Sequence, residues 1–211
     1  MLIIGDIAGQ YNTLMALLKQ CPDEEPVSVG DMIDRGPDSK KVLDFFMKNG
    51  RAIFGNHEAL MINALVTGRY GHFQDWAWNG GGATVRSFGI ESMPFTEEQW
   101  DMLNPYCEWI DTLPLFIQEP GLLITHAPKP VDLAPDQAMQ GKDMDLWIWN
   151  RHEPEKVDGT YQVFGHNSNW GLRYFATEGN AWAACIDTSA ERVLTAMQWP
   201  SKTIFQQPYL D

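Results

Sequence analysis

The stretch Val27-Ser-Val-Gly-Asp-Met-Ile-Asp-Arg-Gly36 joins a short apolar run to a glycine and then to charged side chains. An apolar run bounded in this way predicts a buried β-strand, here Val27 to Val29. Two further runs have the same form, Leu2 to Ile4 and Ala52 to Phe54. Between these strands, apolar residues at helical spacing predict helices over Thr13 to Gln20 and Lys40 to Asn49. The chain is therefore expected to begin with a βαβαβ unit.

Each of the three predicted strands leads to a polar side chain that is suited to binding a ligand. These side chains are Asp6, Asp31 and Asn56, and they are each separated by 25 residues. That spacing leaves room for one strand, one helix and two tight loops. Because open α/β sheets place their ligands at the carboxyl ends of parallel strands, we expect these three side chains to converge on one edge of the sheet.

The second half of the chain returns to strand patterns after a middle third, from about Glu58 to Pro114, that is helical and aromatic in character. Strands are predicted over Leu122 to Thr125, Tyr161 to Phe164, Ala181 to Ile186 and Arg192 to Gln198. Two of these strands end in a histidine, since His126 follows the first and His166 the second. The second half therefore delivers two more metal-capable side chains at strand ends.

Composition limits the classes of protein to consider. A chain of 211 residues with 44% hydrophobic residues can bury one substantial core, so we predict a single catalytic domain over residues 1–211. The formal net charge of −13 argues against a long-range attraction to nucleic acid or anionic lipid. Carboxylates gathered around divalent cations would contribute to such an excess of negative charge.

Cysteine usage and the amino terminus indicate the compartment. Cys21, Cys107 and Cys185 are an odd number without Cys-x-x-Cys spacing, so neither a disulfide framework nor a thiolate zinc site is predicted. The first six residues do not have the form of a signal peptide. No apolar segment approaches the length that spans a bilayer. We expect a cytoplasmic protein.

The strand-end residues form a set of oxygen and imidazole ligands without thiolate. The set consists of Asp6, Asp31, Asn56, His57, His126 and His166. Such a mixture suits Mn, Fe or Zn. A carboxylate can bridge two such cations about 3.5–4 Å apart, and the pair then holds a phosphate and activates the attacking water. The residues therefore indicate phosphoester hydrolysis.

Five ordered motifs resemble those of the calcineurin-like metallophosphoesterases, and within them the phosphoprotein phosphatases. They are Gly5-Asp-Ile-Ala-Gly9, Gly30-Asp-Met-Ile-Asp-Arg-Gly36, Gly55-Asn-His-Glu58, Thr125-His-Ala127 and Gly165-His166. The second motif alone has five fixed positions, which chance would supply in roughly one chain in ten thousand. The likeness to small bacterial and phage enzymes, such as phage lambda phosphatase, extends to Trp78-Asn-Gly-Gly81 with Thr84, Leu146-Trp147 and Cys185-Ile-Asp-Thr188.

The resemblance implies a fold, a cofactor and a role for individual residues. The fold is an α/β sandwich of two mixed β-sheets flanked by helices, and the cofactor is a pair of divalent metal ions, with Mn first and Fe or Zn as alternatives. Asp31 would bridge both metals and Asp6 would serve the first. The second site would be completed by Asn56, His126 and His166.

The catalytic roles also follow from the resemblance. His57 would be the general acid that protonates the leaving oxygen, oriented by Asp34. Arg35 would bind the phosphate, and Arg151 would correspond to a second phosphate-binding arginine. Hydrolysis should proceed by direct attack of metal-bound hydroxide without a phosphoenzyme, because no cysteine or serine occupies a nucleophile motif.

One position departs from the family pattern, in which the first motif reads Gly-Asp-x-His-Gly and its histidine binds the first metal. Position 8 is Ala, which has no donor atom. Three interpretations are open: a natural enzyme in which water or Gln10 replaces the ligand, an introduced His→Ala change that impairs the enzyme, or a non-catalytic binding protein. An impaired phosphatase is the interpretation that we favour, with a weakened first metal site and slow turnover.

Three functions are compatible with these motifs. The first is a phosphomonoesterase that acts on phosphoserine, phosphothreonine or phosphotyrosine in proteins. The second is a hydrolase of diadenosine tetraphosphate or another nucleotide, and the third is a scaffold without activity. The expected partner is a phosphorylated protein or peptide, with no nucleic acid or membrane, and a monomer is the default state.

Substrate choice is expected to lie in two loops, residues 68–74 and 127–142. Several tryptophans are close to the motifs in sequence, and most of them are expected to be core residues. They are Trp76, Trp78, Trp147, Trp149 and Trp170.

Overall fold

The computed structural model describes residues 1–91, 95–130 and 142–210, except for the side chains of residues 142 and 143. The strands are β1 (Leu2–Ile4), β2 (Pro26–Ser28), β3 (Arg51–Ala52), β4 (Phe116–Glu119), β5 (Leu122–Thr125), β6 (Tyr161–Phe164), β7 (Arg173–Thr177), β8 (Asn180–Cys185), β9 (Val193–Gln198) and β10 (Thr203–Pro208). The helices are α1 (Tyr11–Leu18), α2 (Ser39–Asn49), α3 (Asn56–Thr67), α4 (Tyr70–Trp78), α5 (Gly81–Ser87), α6 (Glu97–Asp111) and α7 (Lys142–Trp149), with a 3₁₀ turn over Ser189–Glu191.

The strands form two mixed sheets of five strands each. The first has the order β10-β9-β1-β2-β3, in which β1, β2 and β3 run parallel and β9 is antiparallel to both of its neighbours. The second has the order β4-β5-β6-β8-β7, in which β5, β6 and β8 run parallel and the two edge strands are antiparallel to their neighbours. This is the predicted α/β sandwich.

Side chains of β1 alternate between two hydrophobic cores, as the two-residue period of a strand requires. Ile3 packs in the core between the sheets, together with Ile124 of β5 and Val163 of β6. Leu2 and Ile4 face the opposite way and pack with helical residues of the first half of the chain. Strand β1 is therefore buried on both faces, which explains why it is a continuous apolar run in the sequence.

The predicted elements agree with the structure to within about two residues at their ends. The third strand, predicted over Ala52 to Phe54, is the two-residue strand Arg51–Ala52. The helical middle third corresponds to α3, α4, α5 and α6. Three strands have no counterpart in the sequence prediction: β4, β7 and β10. Two of them, β7 and β10, are largely exposed at the edges of the sheets, so they have no apolar run to reveal them.

Among the described residues, no helix combines the length and the apolar character that a membrane span requires.

Candidate metal centre and active site

The five predicted metal ligands lie in the loops that follow the parallel strands of both sheets. Asp6 follows β1, Asp31 follows β2, and Asn56 is the first residue of α3, which begins just after β3. His126 follows β5 and His166 follows β6. All five side chains are buried, with at most 7% of their surface exposed. The structure therefore brings the strand ends of both sheets to one place.

Several of these loops have left-handed backbone at residues other than glycine. The φ angles are 48° at Ala8, 50° at Asp31, 73° at Asp34, 63° at Arg35 and 62° at His166. Such conformations are costly for residues with a Cβ, and they tend to cluster at functional sites. Hydrogen bonds between the loops hold them, since the N–H of Ala8 donates to the carbonyl of Asp31 at 2.9 Å and the N–H of Gly36 donates to that of Ala8 at 2.9 Å.

Asp31, Asn56, His126 and His166 form a compact donor cluster. Asn56 Oδ1 lies 2.9 Å from His126 Nε2 and 2.7 Å from His166 Nδ1. His126 Nε2 is 3.3 Å from Asp31 Oδ1. One ligand atom from each of Asp31, His126 and His166 lies within 4.8 Å of the others, which is close enough for all three to bind one ion.

The hydrogen bonding of His126 indicates that this cluster fits a cation. His126 Nδ1 lies 2.9 Å from the carbonyl oxygen of Val29, so Nδ1 carries the proton and donates it. In the neutral imidazole, Nε2 then directs a lone pair at the oxygens of Asn56 and Asp31. Buried acceptor atoms that face one another with no proton between them raise the free energy of the folded protein. A cation bound between them would remove this penalty.

Burial lowers the pKa of His166 to about 3, and the neighbouring His126 acts in the same direction. A neutral imidazole is the form that binds a metal. His166 Nε2 is also buried and has no hydrogen-bond partner among the described residues. The donor set therefore suits the divalent cations expected from the sequence.

Asp6 has an acidic neighbour that the sequence analysis did not assign to the site, Asp187. Burial raises the pKa of Asp6 well above its ordinary value, and the charges of Asp187 and Asp31 raise it further. Gly5 packs against the carbonyl oxygen of Ile186 so closely that a side chain at position 5 would overlap it, which places the residues that follow, Asp6 and Asp187, side by side. Three buried carboxylates, Asp6, Asp31 and Asp187, therefore lie close enough for their charges to affect one another.

Glu58 supports the loop that carries Asp31 and was also missed as a functional residue. Its carboxylate accepts the backbone N–H groups of Asp31 at 2.8 Å, Met32 at 2.9 Å and Gly55 at 3.0 Å. Burial raises the pKa of Glu58 to about 7, with a further contribution from the charge of Asp31. The sequence signal available was its place directly after Asn56-His57.

Replacing Glu58 with alanine should strongly destabilise the protein. The change leaves three buried backbone donors without their acceptor, at about 1–3 kcal/mol each, so we expect the free energy of unfolding to fall by about 3 kcal/mol or more. Chemical denaturation of the metal-free protein measures this. Glu91 is exposed and has no such role, so Glu91→Ala serves as the control. Equal unfolding midpoints for the two variants would contradict the assignment.

His57 and Asp34 form a buried dyad beside the donor cluster. His57 Nδ1 lies 2.6 Å from Asp34 Oδ2, and the N–H of His57 donates to Asp31 Oδ1 at 2.9 Å. Burial acts to lower the pKa of His57, but the charge of Asp31 and the hydrogen bond to Asp34 outweigh it, so the pKa is raised. The imidazole is therefore oriented and made more basic by carboxylates.

The two predicted phosphate-binding arginines differ in their positions. Arg35 Nη2 lies 2.9 Å from His57 Nε2, so its guanidinium is at the dyad. Arg151 is exposed, and its Nη1 donates to Asn167 Oδ1 at 3.4 Å in a cleft of about 240 Å³. It is near enough to His166 for its charge to contribute to the low pKa of that imidazole. The structure brings Arg35 into the site and places Arg151 at its border.

Ala8 lines a cleft of about 340 Å³ in front of the site, together with Gln10, Arg35, Ser168, Ser189, Ala190, Arg192 and Tyr209. Gln10 has only 9% of its surface exposed. The side chain proposed as a replacement ligand therefore lines the same cleft as Ala8.

The expectation that most of the tryptophans are core residues is right for Trp76 and Trp147, which are buried. It is wrong for Trp78, Trp149 and Trp170, whose exposed fractions are 92%, 39% and 83%. Of the two substrate loops, residues 68–74 contain the start of α4. Residues 131–141 of the second loop lie outside the described residues.

Residues 1–196 match the model of the calcineurin-like phosphoesterase family. A serine/threonine-protein phosphatase 1 of Salmonella typhimurium is 38% identical over 84 residues, which cover 37% of this chain and 38% of that protein. A serine/threonine-protein phosphatase 2 of Escherichia coli is 29% identical over 192 residues, which cover 83% of each chain.

A symmetrical bis(5'-nucleosyl)-tetraphosphatase of Vibrio vulnificus is 28% identical over 132 residues, which cover 59% of this chain and 43% of that protein. The chain thus spans less than half the length of two of these relatives. A solved structure of a provisionally assigned diadenosine tetraphosphatase superposes with a TM-score of 0.65 at 20% identity and covers 100% of this chain and 93% of that one. That likeness supports the fold.

Proposed function

The chain belongs to the calcineurin-like phosphoesterase family, and we propose that it is a metal-dependent phosphomonoesterase that acts on phosphorylated serine or threonine, and also tyrosine, in proteins. The observation that carries the proposal is the cluster of Asp31, Asn56, His126 and His166 beside the His57–Asp34 pair and Arg35. The side chains of the first cluster suit cations. The His57–Asp34 pair and Arg35 suit a phosphate and its leaving oxygen.

Two divalent metal ions, with manganese the first candidate, would supply Lewis-acid polarisation of the phosphate and water of lowered pKa. The second ion would be held by Asp31, Asn56, His126 and His166. The first would be held by Asp6 and Asp31 and would lack the imidazole that Ala8 cannot provide. We therefore propose that the first ion is bound weakly and that turnover is slow.

The chain's own side chains would bind the substrate and move one proton. Arg35 is placed to donate to phosphate oxygens, and Arg151 is placed to contact a substrate that extends toward its cleft. His57 in its protonated form would give the proton on Nε2 to the leaving oxygen as the P–O bond breaks. Asp34 stabilises that form because its carboxylate accepts the Nδ1–H at 2.6 Å.

Protein substrates are favoured because the phosphatase relative from Escherichia coli aligns over 83% of its own length, whereas the tetraphosphatase relative aligns over 43%. A phosphoprotein would present its phosphorylated side chain to the clefts lined by Ala8 and by Arg151.

A nucleotide hydrolase is the second candidate. Trp170 is 83% exposed and lies four residues beyond His166, so its ring is free to stack on a nucleobase. A hydrolase of this kind would use the same metal cluster, so its substrate would be distinguished by contacts at the border of the site.

Side-by-side turnover of a phosphothreonine peptide, a phosphotyrosine peptide and diadenosine tetraphosphate by the manganese-loaded chain tests the proposal. We expect phosphate release from the phosphothreonine peptide with a kcat/KM at least about 10-fold above that for the dinucleotide, which corresponds to about 1.4 kcal/mol of transition-state binding. A preference for the dinucleotide that Trp170→Ala removes would instead support the second candidate. Failure on all three substrates, with Ala8→His equally inert, would leave the scaffold interpretation.

A further inference from the structure

Asp34 is a fully buried acidic side chain of the site, and two residues of the α4–α5 region bind its carboxylate. Trp76 Nε1 donates to both oxygens, at 3.0 and 3.1 Å. Thr84 Oγ1 donates to Oδ1 at 2.6 Å, and His57 Nδ1 contacts Oδ2 at 2.6 Å. Asp34, Trp76 and Thr84 are at most 1% exposed. The three side chains that bind this carboxylate, Trp76, Thr84 and His57, are therefore all buried.

The same region also holds the backbone of the Asp34–Arg35 turn. The N–H of Asp34 donates to Thr84 Oγ1 and to Ser39 Oγ, both at 3.0 Å. The N–H of Arg35 donates to the carbonyl of Gly80 at 3.2 Å. Since Asp34 and Arg35 both have left-handed φ angles, of 73° and 63°, this turn needs such support to persist.

Two glycines show how closely the α4–α5 connection packs on the turn. A Cβ added to Gly80, whose φ is 105°, would lie 2.8 Å from Arg35 Cγ and 2.9 Å from its nitrogen. A Cβ added to Gly81 would lie 2.5 Å from the ring of Trp76. Neither position has room for a side chain, because Gly80 packs directly against Arg35 and Gly81 packs directly against the ring of Trp76.

We propose that Trp76 and Thr84 are positioning residues, which fix the Asp34 carboxylate in the one orientation that aims the His57 imidazole at the leaving oxygen. The inference rests on the proposed function. In the step concerned, a hydroxide oxygen derived from water bonds to phosphorus, the electron pair of the breaking P–O bond stays on the leaving oxygen, and that oxygen takes the proton from His57 Nε2. His57 becomes neutral, and its Nδ1–H stays hydrogen-bonded to Asp34. The Asp34 carboxylate must keep its orientation for this hydrogen bond to hold the imidazole in place.

The test uses two variants that remove the donor, of which Thr84→Val also keeps the volume of the side chain. Thr84→Val retains the shape of the side chain without its hydroxyl, and Trp76→Phe retains an aromatic ring without the N–H. The matched control is Thr13→Val, because Thr13 is also fully buried and its hydroxyl accepts a backbone N–H, that of Leu210 at 2.9 Å, in a different part of the fold.

The readout is the dependence of kcat on the leaving group. Phenyl phosphate needs a proton on its leaving oxygen much more than p-nitrophenyl phosphate does. Full general-acid catalysis contributes about 10²–10⁴-fold, so we expect a misaligned dyad to lose about 10-fold more kcat on phenyl phosphate than on p-nitrophenyl phosphate, with KM little changed. Thr13→Val should affect both substrates equally.

A second readout does not depend on activity. The proton between His57 Nδ1 and Asp34 gives a downfield resonance in the proton NMR spectrum, which His57→Gln assigns by its loss. We expect Thr84→Val and Trp76→Phe to shift or broaden this resonance and Thr13→Val to leave it in place.

The outcomes separate the inference from the proposed function. If the parent chain hydrolyses both esters and the two variants lose activity equally on each, the residues have a structural role only and the inference is wrong. If neither ester is hydrolysed by any variant, the proposed function fails, and the resonance still decides: its persistence, unchanged in Thr84→Val and Trp76→Phe, would overturn the positioning role.

Discussion

Replacing Ala8 with histidine is expected to raise manganese-dependent hydrolysis of p-nitrophenyl phosphate by about 100-fold, since the loss even of groups that only support metal ligands costs 10–100-fold. The new imidazole would enter the cleft of about 340 Å³ that Ala8 lines. Histidine is among the residues that tolerate left-handed backbone better than most, so the φ of 48° at this position does not prevent the change. Metal analysis of the same samples should show that the first ion, held by Asp6 and Asp31, is retained more tightly.

Ala190→His is the matched control, because Ala190 lines the same cleft from the 3₁₀ turn. A histidine there adds an imidazole to the cleft away from the loop of the first motif, and it should raise neither metal content nor turnover. If Ala190→His gains as much as Ala8→His, the effect is not specific to position 8. If Ala8→His gains neither metal nor activity, position 8 does not lack a ligand.

Asp31→Asn is expected to lower kcat by about 10³-fold and the metal content to less than one ion per chain. One ligand atom of Asp31 lies within 4.8 Å of those of His126 and His166, and its charge also contributes to the raised pKa of Asp6. An amide keeps the shape of the side chain but removes its charge, and metal-centred stabilisation of a phosphoryl group contributes several kcal/mol, so the loss of kcat should be about 10³-fold.

The control for this change is Asp23→Asn, because Asp23 is exposed and lies in a loop away from the site. It removes the same charge from the chain and should leave metal content and turnover at the parental level. Two tightly bound ions in Asp31→Asn would contradict the bridging role of Asp31. Equal metal loss in both variants would mean that overall charge, not the site, governs binding.

The positions of the candidate ligands could be predicted from the sequence because each one ends a short apolar run. The strands before Asp6, His126 and His166 are buried on both faces, so their apolar runs are continuous and their ends are visible. The edge strand β7 alternates weakly and is mostly exposed, which is why no pattern marked it. Burial on both sides made the strands that carry the site the easiest ones to find.

The supporting residues could not be predicted, because their roles depend on contacts between distant segments. Glu58 accepts hydrogen bonds from the backbone N–H groups of Asp31 and Met32. Because every residue except proline has such a group, the sequence does not indicate which ones a side chain will bind. Asp187 joins the site only because its strand lies next to β6 in the second sheet. Trp76 was expected to be an ordinary core residue, and it is buried. Its indole N–H, however, donates a hydrogen bond to Asp34.

Ala8 keeps its place in the fold although its side chain has no donor atom. The backbone bonds of this position to Asp31 and Gly36 are intact, so the loop keeps its form without the imidazole. The buried carboxylates Asp6, Asp31 and Asp187 remain, and a cation is the natural partner for them. We therefore expect the first site to bind metal weakly rather than to be lost.

The most direct test of the account is phosphate release from a phosphothreonine peptide by the manganese-loaded parent chain, measured beside Asp31→Asn and a chelator-treated sample. The account predicts slow release by the parent, none by Asp31→Asn, and none after chelation until manganese is restored. Release that continues at the parental rate without metal, or in Asp31→Asn, would contradict a metal-dependent phosphoesterase built on the strand-end cluster.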